Sequence, residues 1–505
     1  MTLLTRNRGP LIALLLVAAL IVYMLNRYGG PDTASGLISG LTLGAVFFLL
    51  ASGLSLIFGL MDVLNFAHGL FFMLGAYVGY TMYENPRLLL NTLPFALVLW
   101  GAVALGSQLG RRFPMGTRPT GTDRAITIGL TGVATAIIVA GVWGFSLLSL
   151  ASSESSAGGK VPTDVAQEGL GQYFTRLGVL IAGGFVLGLA IGRRAVGLQR
   201  NKRAWLGPLV GIVAIGLAFL LAMVRTEGET ALLALPLDAR FVLALIAGAG
   251  AGAAFGALVE WSLIRPLYAR PIYQVLLTIG LTFVGTELIK VIWGNSTFNM
   301  ATPTFFNTPR ADGRSCASPD LLSFLSDHCT ALSVFGRRVP SYWTFIILLG
   351  IVIFIAVAIL LKRTRMGMII RAGVQDSEMV QALGINVRRV FTLVFALGTG
   401  LAALGGVAVG PFLGVHPDLG QEFLLFGFIA VVVGGMGSYA GAAAGALLLG
   451  FARAFGDLSI RYGIGIPFTD IEWEKPPTFI ATASAVLLMA IVLLVRPAGL
   501  LGKKD

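Results

Sequence analysis

The sequence predicts an all-α, polytopic membrane protein, and three observations carry that prediction. Of 505 residues, 56% are hydrophobic and 12% charged, against roughly 25% charged in an ordinary soluble chain; the mean hydropathy is +0.85. Apolar runs of about 20 residues, each long enough to cross a bilayer, recur along the chain. The basic residues behind the net charge of +12 sit in short loops between those runs. That placement orients a chain in a membrane and does not build a single nucleic-acid-binding surface.

The elements follow in order. Arg6 and Arg8 precede the run Leu11–Leu25. No A-x-A-like cleavage site follows it, so it reads as a first span and not as a signal peptide. Further spans are expected at Ala34–Leu60, His68–Tyr83, Leu89–Leu109, Ala125–Leu150, Phe174–Ile191, Trp205–Val224, Ala239–Leu263 and Gln274–Gly294. Ser341–Leu361, Val390–Gly410 and Phe479–Val495 follow, giving about 12 transmembrane helices in all. Gln421–Phe455, centred on Gly434-Gly435-Met436-Gly437, reads as a Gly-rich helical hairpin. It is either re-entrant or two ordinary short spans with a tight turn.

Alternation from an inside N-terminus places Arg111/Arg112/Arg118/Arg124, Arg193/Arg194/Arg200/Lys202/Arg203 and the C-terminal Lys503/Lys504 in the cytoplasm, in keeping with the charge rule. Ala151–Tyr173 falls outside. So does Asn295–Pro340, which is basic but long enough to translocate with little regard for charge. Its Cys316 and Cys329 then lie in an oxidising location that favours a disulfide over two unpaired thiols.

Lys362–Arg389 is the most densely charged segment. Within it Asp376 can cap a short helix over Ser377–Leu383, and Gly384 can end that helix in a left-handed turn. Met379, Val380 and Leu383 fall on one face, as if to dock on a cytoplasmic partner. A second interruption, Met61–Gly69, carries Asn65 and His68, which can bond freed backbone groups, and Gly69, which allows an abrupt turn. It is either a broken helix lining a passage or a short interfacial turn. Gly248/Gly252/Gly256, Gly406/Gly410 and Gly437/Gly441/Gly445 have the spacing of close helix contacts. Glu287 and Lys290, at i and i+3, suit a local ion pair. Two cysteines and three histidines leave little for a metal site, and no catalytic set lies in the spans. Gly499-Leu-Leu-Gly-Lys-Lys has the wrong spacing for a Walker A, so the chain is not expected to be an enzyme.

Five collinear segments resemble one family. They are GLSLIFGLMDVLNFAHGLFFMLGAYV (Gly53–Val78), EWSLIRPLYARPIYQVLLTIGLTFV (Glu260–Val284), RMGMIIRAGVQDSEMVQALGINVRRV (Arg365–Val390), AVVVGGMGSYAGAAAGALLLG (Ala430–Gly450) and RPAGLLG (Arg496–Gly502). The chain resembles the permease subunits of branched-chain amino acid ATP-binding cassette importers, the leucine/isoleucine/valine type. The resemblance implies a bacterial inner-membrane subunit paired with itself or a second homologous permease. Two cytoplasmic ATPase subunits and an extracytoplasmic solute-binding protein would serve it in membrane lipid. It would hold no cofactor, ATP being used by the partners.

The same resemblance puts a coupling helix at Arg371, Asp376, Glu378, Met379, Val380, Ala382, Leu383 and Gly384. It implies that Asn65, His68 and Gly69 line or shape the translocation pathway, and the glycine turn of the hairpin, Gly434, Gly435 and Gly437, is expected along it as well. Residues 1–88 and 239–505, with the coupling loop 362–389, would be the permease core; 89–238 departs from the family as an inserted set of four helices. Urea or short amides are the alternative cargo. An ion-coupled secondary transporter would need mid-membrane carboxylates, which are scarce here.

Overall fold

In lipid an apolar run must pair every backbone N–H and C=O within itself, and a helix does this. A computed structural model describes residues 8–61, 63–113, 121–145, 169–193, 206–268, 270–307, 316–318, 326–375, 377–465, 472–473 and 476–502. In chain order its helices are α1 (Arg8–Tyr28), α2 (Gly30–Met61), α3 (His68–Glu84), α4 (Pro86–Gly110), α5 (Gly121–Val142), α6 (Leu170–Arg193), α7 (Leu206–Met223) and α8 (Arg225–Leu233). Then come α9 (Leu237–Val259), α10 (Pro271–Trp293), α11 (Ser341–Arg363), α12 (Arg365–Gln375), α13 (Ser377–Ala382), α14 (Val387–Leu413), α15 (Leu419–Gly434), α16 (Tyr439–Tyr462) and α17 (Ile480–Val495).

Among the described residues nine helices are long and apolar enough to cross a membrane, or ten if the bent pair α7–α8 is one span. That is fewer than the dozen expected, partly because some expected spans are short. α3 has 17 residues and α17 has 16; at 1.5 Å per residue they reach about 24–26 Å against a hydrocarbon core of about 30 Å. The Gly-rich hairpin is lopsided, with 16 residues in α15 and 24 in α16. It turns on Gly435 and Gly437, both at positive φ (104° and 79°).

The chain divides into two compact units. The first, Met1–Tyr83 with Leu237–Asp505, is built round α3, which is buried on nearly every side. Small residues let other helices approach it. A methyl on Gly406 of α14 would strike the Phe72 carbonyl, and one on Gly75 would strike Ala403. On α9, Gly248, Gly252 and Gly256 face Val407, Ala403 and Thr399 of α14 in turn, the expected small-residue contact.

Among the described residues five short strands depart from the all-α expectation: β1 (Ala317–Ser318), β2 (Ala331–Val334), β3 (Arg337–Pro340), β4 (Ile464–Gly465) and β5 (Glu472–Trp473). They lie in loops, where the backbone finds partners between segments. β2 and β3 form an antiparallel hairpin pairing Ala331 with Pro340 and Val334 with Arg337; β1 adds in parallel. Arg337 ends this hairpin in an ion pair with Asp32 at 2.6 Å, and Tyr462 donates to the same carboxylate at 3.0 Å.

Cys316 and Cys329 are disulfide-bonded, 13 residues apart, under Phe306 and Leu332. Closing a loop of that size removes roughly 3 kcal/mol of chain entropy from the opened state. Cys316→Ser is therefore expected to open this loop to proteolysis without unfolding the helices. Limited digestion followed by mass spectrometry reads that directly.

The second unit, Glu84–Pro236, has its own core of Phe95, Val98, Tyr173, Leu177, Leu180, Ala218 and Ala222. Gly106 and Gly110 of α4 meet Gly188 and Gly192 of α6 backbone to backbone. α8 bends 66° from α7. Polar contacts hold it: Arg225 lies over the Tyr173 ring (4.2 Å) and Arg87 pairs with Glu229 at 2.8 Å. The polar run Arg225-Thr-Glu-Gly-Glu gives α8 no apolar periodicity, so the sequence pattern does not show it.

Candidate functional site

The interruption between α2 and α3 is a break inside the bundle. His68 opens α3 and its Nε2 bonds the Leu50 carbonyl at 3.1 Å. Leu50 lies eleven residues before the end of α2, about 16 Å back along the helix. The chain between must therefore run back beside α2, and α3 begins well within its depth. A helix that starts inside a membrane turns its positive dipole end toward the interior.

Breaking a helix at that depth frees backbone groups, and the neighbours satisfy them. Asn65 Oδ1 accepts from the Ala67 N–H at 3.1 Å, and the Asn65 carbonyl accepts from the His68 N–H at 3.2 Å. The Phe66 N–H donates to Thr278 Oγ1 at 3.2 Å, and Thr282 Oγ1 donates to the Phe66 carbonyl, also at 3.2 Å. These two α10 threonines escaped the sequence reading. Their signal is a pair of hydroxyls at i and i+4 in an otherwise apolar run. Thr278→Val keeps the shape but strands the Phe66 N–H, and a loss of about 1–3 kcal/mol in thermal stability is expected. Thr278→Ser should restore most of it.

Two cavities flank the break. One, of about 180 Å³, is bounded by Leu54, Leu64, Asn65 and Phe66 and by Gln421, Leu424, Leu425 and Phe428 of α15. Phe66 and Phe428 stack across it, with centroids 6.1 Å apart. The other, of about 740 Å³, is more polar and lies beside Met61, Val63, Tyr268, Gln274, Gln381, Arg388 and Gly437.

Glu260 is fully buried and bonds Tyr268, which borders the larger cavity. There α9 passes into a π-turn (Glu260–Ile264) and then a 3₁₀ turn (Arg265–Leu267). Its two carboxylate oxygens accept from the hydroxyls of Tyr268 and Thr392, tying the end of α9 to α14. Burial, and then the bond to Glu260, hold the Tyr268 phenol above its ordinary pKa, so it remains a donor.

Lys362–Arg389 folds as two helices where one was expected. α12 buries Ile370, and its Ile369 and Ile370 line a small apolar pocket with Leu60, Val387 and Phe391. α13 ends as the sequence suggests: Gly384 has φ +82°. Ile385 N–H reaches the Val380 carbonyl and Gly384 N–H the Gln381 carbonyl, the paired bonds of a Schellman turn. The apolar side of α13 divides. Val380 is 2% exposed and anchors the helix, whereas Met379 and Leu383 are 60% and 71% exposed. Ala382 is exposed beside them; Arg371 lies on α12 and Glu378 on α13. Asp376 lies outside the described residues.

Of the candidate pathway residues, Asn65 borders the smaller cavity and Gly437 the larger. His68 and Gly69 are packed among helices: a methyl at Gly69 would strike the Gly420 carbonyl of α15. Gly434 meets Gly441 across the hairpin, and Gly435 lies against Gly502. Asn65 and Gly437 are thus on different cavities, and the other four glycine and histidine positions border neither of them. Glu287 and Lys290 form the expected local pair at 2.9 Å.

Residues 36–169 and 209–495 match the family described as "Branched-chain amino acid transport system / permease component". The chain is 30% identical over 280 residues to the high-affinity branched-chain amino acid transport system permease protein LivH of Escherichia coli K12, covering 54% of this chain and 80% of LivH. It is 35% identical over 163 residues to BraD, the corresponding permease of Pseudomonas aeruginosa, covering 32% of this chain and 46% of BraD. A shorter stretch of 113 residues is 32% identical to the fructose import permease protein FruF of Bifidobacterium longum, covering 21% of this chain and 32% of FruF. No solved structure matches the chain.

Proposed function

We propose that this chain, which belongs to the branched-chain amino acid transport permease family, is a transmembrane subunit that passes branched-chain or related amino acids inward. In this reading it works in an ATP-binding cassette importer driven by ATPase subunits elsewhere in the complex. The observation that carries the reading is α13. A six-residue helix, closed by Gly384 and anchored by Val380, presents Met379 and Leu383 to solvent, between α12 and the long span α14. Apolar side chains held out on a rigid, capped helix suit a groove on a partner. Gln381 of α13 and Arg388 of α14 border the larger cavity, so movement of α13 would be felt there.

The remaining parts follow. The α13 side is cytoplasmic, with both termini, and the disulfide loop faces outward toward a solute-binding protein. A second permease, a copy or a homologue, completes the pore in the inner membrane of a bacterium. α1, α3 and α17 count as spans with the longer helices. The four helices α4–α7 are an addition to a core formed by 1–88 and 239–505.

Reconstitution tests this reading. Proteoliposomes containing the assembled complex should accumulate labelled leucine only with ATP inside and the solute-binding protein outside. Uptake that persists without ATP, or that follows an imposed proton or sodium gradient, would sink it.

A further inference from the structure

Resting on the transport reading, we infer that Glu260 is a positioning residue for the transport cycle. It forms a releasable latch between the ends of α9 and α14 nearest α13, and passes movement of α13 to the larger cavity. The starting point is a spacing. Gly248, Gly252 and Gly256 run down one line of α9 and meet Val407, Ala403 and Thr399 of α14. One turn further on, the same line carries Glu260, fully buried, whose oxygens accept from Thr392 of α14 and from Tyr268. A fourth small or apolar residue there would extend the seam without the cost of burying a carboxylate. Close packing thus holds three turns of the seam, and a polar contact holds the turn nearest α13.

That contact can be released cheaply. The Thr392 hydroxyl has one proton and two acceptors in reach, Glu260 and the Arg388 carbonyl of its own helix at 3.1 Å. When α14 withdraws, the proton turns to Arg388 and Thr392 stays bonded. Glu260 keeps the Tyr268 hydroxyl. Neither side is stranded, so opening avoids the full cost of an orphaned buried group. The latch also lies where movement of α13 arrives. Residues 383–386 join α13 to α14, and Thr392 sits in the second turn of α14. Val387, Arg388 and Phe391, from the same two turns, border the larger cavity with Tyr268, whose ring meets Phe391 edge-on at 5.8 Å. Shifting this part of α14 breaks the latch and reshapes the cavity wall together.

Thr392→Val is the discriminating variant, because it keeps the shape and removes only the hydroxyl. In proteoliposomes holding the assembled complex, ATP hydrolysed per leucine taken up should rise about 10-fold or more, with KM for leucine unchanged. Thr392→Ser should restore the wild-type ratio. Glu260→Gln keeps both contacts, its oxygen facing Tyr268 and its amide donating to a Thr392 hydroxyl turned toward Arg388. Those bonds lack the charge, so the ratio should shift the same way but less. A merely structural role gives a different result: a lower melting temperature or yield, with the ATP-to-leucine ratio per assembled complex unchanged. That outcome, or wild-type behaviour in both variants, would overturn the latch. If Thr392→Val fails to assemble, Glu260→Gln decides by the same ratio. The wild type separates the two levels: no ATP-driven uptake sinks the transport reading, whereas normal uptake with indifferent variants sinks the latch alone.

Discussion

Gly252→Leu is expected to prevent the permease from folding, while Gly250→Leu, two residues away on the same helix, is expected to be tolerated. A side chain at Gly252 meets the Ala403 methyl and the Thr399 carbonyl of α14, whereas one at Gly250 has nothing within 4 Å. α9 and α14 can lie this close because neither carries bulk along the shared line. Between apolar helices in lipid there is little hydrophobic drive to offset a lost contact, so packing itself supplies the affinity. Overpacking costs typically 1–3 kcal/mol, and the upper end or beyond applies where backbone blocks the way. The loss should recur with Gly256→Leu, which would meet the Thr399 side chain. Size-exclusion profiles and thermal melts in detergent read the difference. Equal behaviour of the Gly250 and Gly252 variants would refute the packing account.

That pair also shows what the sequence makes legible. A repeat of glycine at every fourth position has one physical use in a span, so Gly248/Gly252/Gly256 could be assigned to a contact, though not to a partner. Apolar length gives the existence of most spans in the same way. It cannot give α8, whose helix is held by Arg87–Glu229 and by Arg225 over Tyr173, contacts between residues more than 50 positions apart. The small cavity is invisible for the same reason. Asn65 is conspicuous in the sequence, but the commitment of its oxygen to the Ala67 N–H appears only once the chain has folded. Glu260 is the clearest case: it falls inside the expected span Ala239–Leu263 with no partner nearby in the sequence, yet it is fully buried between two hydroxyl donors.

Leu383 bears on the proposed docking helix most directly. At 71% exposure its side chain contributes little to the permease itself, so substituting it should change stability by no more than about 0.5 kcal/mol. In a closed interface with an ATPase the same position would be buried. A charge placed there without a partner costs roughly 3–5 kcal/mol, enough to lower ATP-driven uptake at least about 100-fold. Leu383→Asp alone would be ambiguous, because a negative charge at the carboxyl end of a helix opposes the dipole and could fray α13. Leu383→Lys has the opposite dipole effect and introduces an equally unwelcome charge, so both variants should uncouple if apolar docking is what matters. If only the Asp variant fails, fraying is the cause; if the Lys variant pulls down ATPase subunits and transports normally, α13 is not the docking element. Val380→Ala supplies the contrast. Its side chain is 2% exposed, so its loss should lower the melting temperature of the permease, through a packing defect of about 1–2 kcal/mol. It should weaken coupling only as far as it loosens α13. An anchoring residue moves stability first and a docking residue moves transport first, and the two neighbours on this helix should separate cleanly.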